Sequence, residues 1–596
     1  MRIMKVIVAD TALKLRINLL SLRKSPYIAC DLETTGLDFR KDDIVGIGFY
    51  GESNGLPVAF HIPVVHTNFK CLDRETILKY LIPFFADTSL KICMHNGNFD
   101  RHFLEAFGIP VKNFWMDTMY AYHLIDDNAD LALKKIIPAE YNVPTDTFKT
   151  LFTKRKPIWE SNPSIYTTYI LNDCQYTYWL ARDCDRRLQK ENLHNYFFKL
   201  EMPTLHTIFD MEKRGIHIDV SRLKKYGKQL TKNIEQHLST IFRLTGDPKF
   251  NPNSTPQMRK IVFQQLGAPV LKVSKKTQEP SCDVEVMKRY ARQNRNKALK
   301  DFARAILQYR KDTKMNSTYV EGILNNIVNG KINPNFHLKP VTGRLSSSNP
   351  NAQNIPARSE IRHCFIAPKG FVIIDFDFSQ IELRITAHVS KDANLTKAYL
   401  KNEDIHQQTA DACGCTRDYA KTINFGLIYM MHWATLAKAL DISDKEAETY
   451  HTSYFGMYDG VARWHKRMIN YARINGCTKT ILGRPRRLLD IKSHNKWHRE
   501  KAEREGVNHR VQGTAGELCK LAMIDCNNSK TLKRFNCKLI SQVHDELMFR
   551  CPVHNAKKAV SMIKSLMEQA FEKRGVKLDI PIIADGKYAL NWGDAH

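Results

Sequence analysis

Two strand-type stretches, residues 371–376 and 538–549, flank a long helical region spanning about residues 404–505. Strands so far apart in sequence can share a sheet only if the helices between them form an excursion from it. The pattern therefore implies one domain inserted within another. Upstream, residues 25–190 alternate short apolar runs with helical stretches. Residues 27–30, 44–49 and 57–62 read as an antiparallel meander, and residues 90–94 as a fourth strand leading into a helix from about Phe99. Residues 201–328 are almost wholly helical in pattern. The fold class expected is multidomain, α/β and α+β, with no repeat period and no long linker.

The chain has 596 residues, a soft prior of about four domains. Lys and Arg total 90 against 62 Asp and Glu, a formal charge of +28 that favours polyanionic partners. Basic residues concentrate in the helical stretch, as Lys224, Lys225, Lys228 and Lys232, then Lys288, Arg289, Arg292, Arg295 and Lys297. These runs read equally as solvated faces and as nucleic-acid contacts. No apolar run approaches the ~18 residues of a spanning helix, so no membrane role is expected. The 14 cysteines show no paired CxxC spacing, and residues 1–10 have no signal-type core. Reduced thiols and a cytoplasmic location are the expectation.

Asp31 and Glu33 follow an apolar strand, and the strand period of two places both carboxylates on one face. Adjacent carboxylates resist joint ionisation unless a divalent cation holds them. Asp100 follows a second strand, and Tyr169 and Asp173 are spaced for one helical face. Four carboxylates and a tyrosine could bind two hard cations and orient a water for phosphodiester hydrolysis. The segments DLETTGLD, NGNFD and YILND resemble the three motifs of the DEDDy group of 3′–5′ proofreading exonucleases. That resemblance implies an RNase H-like fold, Asp31, Glu33, Asp100 and Asp173 as metal ligands, and Tyr169 positioning the water. Asp117-Thr118-Met119 reads as structural.

A second set begins at Asp377, where the strand 371–376 ends, and continues at His544-Asp545, a tight turn between two strand runs. If these strands pair, Asp377 and Asp545 could hold two ions about 3.5–4 Å apart for in-line phosphoryl transfer. Arg417, Lys421, Phe425 and Tyr429 recur every four residues, a helical stripe suited to phosphates at one end and sugar and base at the other. From spacing alone, an ordinary basic surface beside aromatic core contacts is the favoured reading of that stripe.

DFSQIELR, RDYAKTINFGLIY and QVHDEL resemble, in order and spacing, the three polymerase motifs of family A DNA polymerases. TGRLSSSNPNAQNIP, GRPRR, ER-x3-N-x3-QGT and the terminal NW-x2-AH extend the likeness over nearly the whole chain. It implies Asp377 and Asp545 as metal ligands, with Glu546 supporting them. Arg417 and Lys421 would grip the triphosphate, and Lys421 would protonate the departing pyrophosphate. Phe425 would pack on the sugar, Glu382 and Tyr429 would exclude ribose, and Gln380 and His544 would line the nucleotide site. Arg344, Arg504, Asn508 and Gln512 would touch DNA. The implied domains are a 3′–5′ exonuclease (residues 1–195), a thumb (196–330), a palm in two parts (331–395 and 505–596) and fingers (396–504). There would be no N-terminal 5′-nuclease.

Two departures stand out: Phe378 replaces the family's tyrosine, and Met430 replaces a glycine, which would continue the helix with a bulky side chain. The resemblance implies a proofreading DNA polymerase, compact in the manner of a bacteriophage replicase, working in the host cytoplasm. Two Mg²⁺ at each site, with Mn²⁺ able to substitute, would be its cofactors. Primer–template DNA and dNTPs would be its ligands, helicase, primase or a single-strand binding protein further partners, and a monomer its state. The competing readings are an exonuclease with an inactive polymerase-like DNA-binding region, and a purely architectural nucleic-acid binder.

Overall fold

The computed structural model of the chain describes residues 6–153, 156–274, 277–293 and 296–596. Residues 1–5 and Arg295 of the basic run lie outside the described residues.

The N-terminal region is a six-stranded mixed sheet. Its spatial order is Val6–Val8, Leu56–Pro63, Ile44–Ser53, Ile28–Thr34, Ile92–Met94 and Phe114–Asp117. The middle three strands form the expected antiparallel meander, and the outer pairings are parallel. Residues 44–51 are buried without alternation. That is the signature of a strand covered on both faces. Helix Ala12–Leu22 packs on this strand, as does the 28-residue helix Pro163–Lys190.

The C-terminal region is built on a four-stranded antiparallel sheet ordered Lys538–Val543, Glu546–Pro552, Phe371–Phe378 and Ala584–Ala589. One central strand precedes the helical excursion and the other three follow it, as the interrupted pattern implies. Within the excursion, helices Ile405–Cys413 and Arg417–Ile428 are joined by a buried polar knot. Asn424 donates from Nδ2 to Thr409 Oγ1 (3.0 Å) and lies 3.2 Å from His406 Nδ1. A small hairpin, Cys477–Lys479 with Pro485–Arg487, was not legible as strands, because three-residue strands carry almost no periodicity.

The helical region after residue 201 has its own core around Phe250, Met287, Phe302 and Ile306. The basic residues Lys224, Lys225, Lys228 and Lys232 are all exposed along the helix Val220–Thr245. One expected boundary coincides with no break in the backbone. A division at 504/505 falls inside a continuous 33-residue helix, Lys496–Asn528. Its middle and end bury Gly513, Ala515, Gly516 and Ala522 against neighbouring elements, so insertion and sheet share one rod rather than meet at a loop.

Candidate active sites

In the N-terminal domain, Asp31 stands opposite Gly48 and Glu33 opposite Gly46. Directly opposed residues of an antiparallel pair share a face. A Cβ at Gly46 would come 2.2 Å from Tyr166 Oη, and one at Gly48 2.7 Å from Cys174 Sγ. These two glycines therefore let helix Pro163–Lys190 lie hard against the carboxylate face. The same helix carries Tyr169 and Asp173. One oxygen each of Asp31, Glu33 and Asp173 lies within 4.8 Å of the others. Asp100, buried on helix Gly97–Phe107, accepts the Leu32 amide at 3.2 Å between the two strand carboxylates.

Burial, with repulsion from neighbouring carboxylates, pushes Asp31, Glu33 and Asp100 well above the usual carboxylate range. Burial also raises Asp173, to about 6, although Lys134 pulls the other way. An all-oxygen donor set starved of positive charge fits a hard divalent cation. Tyr169 packs edge-on against Phe152, and the Lys134 ammonium lies 4.3 Å from its ring centre. Lys134 is a site residue the motifs did not disclose, because it lies on a separate helix, Leu133–Tyr141. Asp117 is structural, accepting the amides of Asn96 (3.1 Å), Gly97 (2.8 Å) and Met119 (3.1 Å).

In the C-terminal domain the strands bearing Asp377 and Glu546 pair, with these two residues in register. The Phe378 amide reaches the Asp545 carbonyl at 3.4 Å, so the His544-Asp545 turn sits beside the end of the Asp377 strand. His544 takes a φ of 55°, as a two-residue hairpin requires of one turn residue. A cleft of about 450 Å³ is lined by Asp377, Asp545, His544, Arg344, Gln380 and Glu382 from the sheet side. Arg417, Lys421 and Phe425 line it from the helix Arg417–Ile428, together with His406, which sequence reasoning missed.

Burial and the nearby Asp545 and Glu546 raise Asp377 to about 7. Burial raises Asp545 too. Two raised carboxyls at the floor of a cleft with cations on its opposite wall again fit divalent metal.

The Arg417–Lys421–Phe425–Tyr429 stripe separates two clefts. Lys421 and Phe425 line both, while Tyr429, Arg504 and Asn508 line the second, of about 990 Å³, with Met430 and Trp497. Gln512, one turn beyond Asn508, lines neither. Glu382 pairs with Arg344 rather than with Tyr429, whose buried hydroxyl has no partner among the described residues. Arg417 is held by Asp404 at 2.8 Å, and Gln380 accepts from Tyr399 at 2.9 Å.

Glu546 shares the face of Asp377 but does not line the cleft, being held by other partners. Arg362 donates to both its oxygens (2.9 and 3.3 Å) and His596 lies at 2.5 Å. Asp375, two residues before Asp377 on the same face, accepts from Trp592 at 3.3 Å. Asp375 and Arg362 were missed. The former had a signal, the same two-residue carboxylate spacing as Asp31 and Glu33, whereas Arg362 had none.

The helix does not continue through Met430. It ends at Ile428, and Met430 adopts φ 58°, with the Met431 amide bonding back to Gly426 at 2.9 Å. That is a Schellman-type stop, formed here without the glycine that usually occupies the left-handed position.

The fold is thus a two-module scaffold: a mixed-sheet domain joined to an antiparallel sheet interrupted by helices, with an acidic cluster in each. Residues 220–594 match the family described as DNA polymerase family A, and residues 6–189 match a family described as 3′-5′ exonuclease. The chain belongs to DNA polymerase family A.

It is 31% identical to the DNA polymerase I of Borreliella burgdorferi over 593 residues, covering 97% of this chain and 63% of that protein. It is 31% identical to that of Pseudomonas aeruginosa over 607 residues, covering 96% and 64%. The chain therefore spans a little under two thirds of these relatives' length. The fold also matches the polymerase domain of Pol1 from M. smegmatis, solved with DNA primer-template and dNTP. The TM-score is 0.85 at 24% identity, over 99% of this chain and all of that one. Among the described residues no helix is long and apolar enough to cross a membrane.

Proposed function

We propose that this chain is a template-directed DNA polymerase with a built-in 3′–5′ exonuclease, residues 1–195 forming the exonuclease and the rest a thumb, palm and fingers. The observation that carries the reading is the first cleft, where Asp377 and Asp545 face Arg417, Lys421 and Phe425. Divalent cations, Mg²⁺ foremost, held by Asp377 and Asp545 and by Asp31, Glu33, Asp100 and Asp173, supply charge neutralisation at the phosphates and activation of the attacking hydroxyl or water.

The chain's own residues do the rest. Arg417 and Lys421 bind the triphosphate of an incoming dNTP, and Lys421 gives a proton to the departing pyrophosphate. Phe425 packs on the sugar. Glu382, held by Arg344, floors the cleft where a ribose 2′-hydroxyl would need room. On the other side of the stripe, Tyr429, Arg504 and Asn508 offer the second cleft to the template strand. In the exonuclease, Tyr169 orients the attacking water.

The test is primer extension on a primed single strand with Mg²⁺, with and without dNTPs, for wild type, Asp545→Ala and Asp31→Ala. Wild type should lengthen the primer with dNTPs and shorten it without them, and each variant should lose only its own activity. A primer that only ever shortens refutes the polymerase assignment.

A further inference from the structure

We propose that Lys134 is a built-in counter-cation of the exonuclease carboxylates: it holds Asp173 until a divalent cation takes that oxygen, and so sets how much metal the site requires. The inference rests on the exonuclease reading above and deepens it.

Four carboxylates converge at this site, and among the described residues Lys134 is the one side-chain cation that pairs with any of them. Its ammonium donates to Asp173 Oδ1, the same carboxylate that meets Asp31 and Glu33 within 4.8 Å. The lysine is thus bonded to a carboxylate that a metal would need. Its position is supported from two sides, by the ring of Tyr169 at 4.3 Å and that of Tyr176 at 5.5 Å, both suited to hold an ammonium by cation–π attraction. It also has somewhere to go. A cleft of about 290 Å³ opens beside it, lined by Lys134, Tyr169, Asn172 and Tyr176, with Asp146 in the same wall. An ammonium displaced from Asp173 keeps its aromatic neighbours and gains access to a second carboxylate.

The polymerase cleft is built differently. Among the described residues no lysine or arginine pairs with Asp377 or Asp545, and Arg344 is occupied by Glu382. The exonuclease should therefore need more metal than the polymerase, and shortening should fade before extension as metal is withdrawn.

The experiment isolates the exonuclease carboxylates in the full chain with Asp377→Asn and Asp545→Asn, then titrates Mn²⁺ by electron paramagnetic resonance. Lys134→Met should lower the half-saturating Mn²⁺ by about tenfold, the scale of one charge-assisted bond lost as a competitor. Lys134→Arg should behave as its parent. Without metal, Lys134→Met should also unfold at a lower temperature than its parent, and saturating Mn²⁺ should close the gap, which a purely structural role would not do. If the methionine variant does not fold, Lys134→Gln carries the same titration. Unchanged or weaker Mn²⁺ binding overturns the role of Lys134 alone. If the parent binds no Mn²⁺ that Asp31→Asn abolishes, the metal reading of the exonuclease falls, and the lysine's role with it.

Discussion

Removing the charge of Glu201 should cost far more than removing that of Lys520, although the two touch. Glu201 lies at the start of the helix Met202–Arg214, where the N-terminal domain hands over to the rest of the chain. Its carboxylate takes Arg484 Nη1 at 2.9 Å and Lys520 Nζ at 2.9 and 3.0 Å, and all three side chains are 2% exposed. Burial raises the Glu201 carboxyl, but Lys520 and Arg484 overrule it and hold the group below its usual range.

Glu201→Gln leaves two buried cations facing one neutral amide. Orphaning a buried charge costs about 3–5 kcal/mol. At about 2–4 °C per kcal/mol, the main unfolding transition should fall by roughly 6–20 °C. Lys520→Met keeps a one-to-one Glu201–Arg484 pair and replaces a buried ammonium by a side chain of similar volume. Its cost should stay within about 1.5 kcal/mol. Scanning calorimetry near neutral pH on both variants measures the difference, read on the transition of the polymerase body because the chain has several domains. If Lys520→Met costs as much as Glu201→Gln, charge balance does not govern this junction and the reasoning is wrong.

Three further outcomes follow from the structure. Burial pushes Glu517 up to about 7, against hydrogen bonds from Thr480 and the Leu482 amide. The folded chain then keeps a proton that the unfolded chain releases above about pH 4.5, so this group's contribution falls as pH rises from there to about 7. Glu517→Gln, which does not titrate, should gain about 2–3 kcal/mol on wild type between pH 5 and 8, measured by urea unfolding at both values. Asp127, 1% exposed, takes Arg486 at 2.6 Å and the Arg487 amide at 3.3 Å, pinning the 477–487 hairpin to the exonuclease domain. Asp127→Ala should cost about 3 kcal/mol and raise amide exchange in that hairpin, with no change if the contact is idle. At Met430, Val should destabilise by about 1–2 kcal/mol because a β-branched residue resists a left-handed φ, whereas Gly should be tolerated, as thermal melts would show.

Much of the fold was legible where local pattern and local chemistry agree. The meander of residues 27–62 showed because adjacent strands carry their apolar runs close together, and the interruption of the second sheet showed because its strands are long and buried. The three-residue strands near 477 and 485 and the end of the helix at Ile428 did not. Too few residues carry the first signal, and the second depends on a backbone turn that a methionine does not advertise. The placement of Asp31 with Glu33, and of Tyr169 with Asp173, follows from the periods of strand and helix alone.

What the sequence determined, then, is the supply of chemistry: carboxylates at strand ends, a stripe of two cations and two aromatics, and a large positive charge. Only the tertiary structure decided which groups meet. Gly46 and Gly48 admit the helix that brings Asp173 to Asp31 and Glu33. Lys134 reaches Asp173 from a helix no motif marks, and Arg362 and His596 take up the Glu546 carboxylate. Periodicity is a property of neighbours along the chain, readable from one end to the other. Contact between residues 39 or 184 positions apart depends on packing, in which the absence of a Cβ or the pull of one ion pair outweighs any local preference.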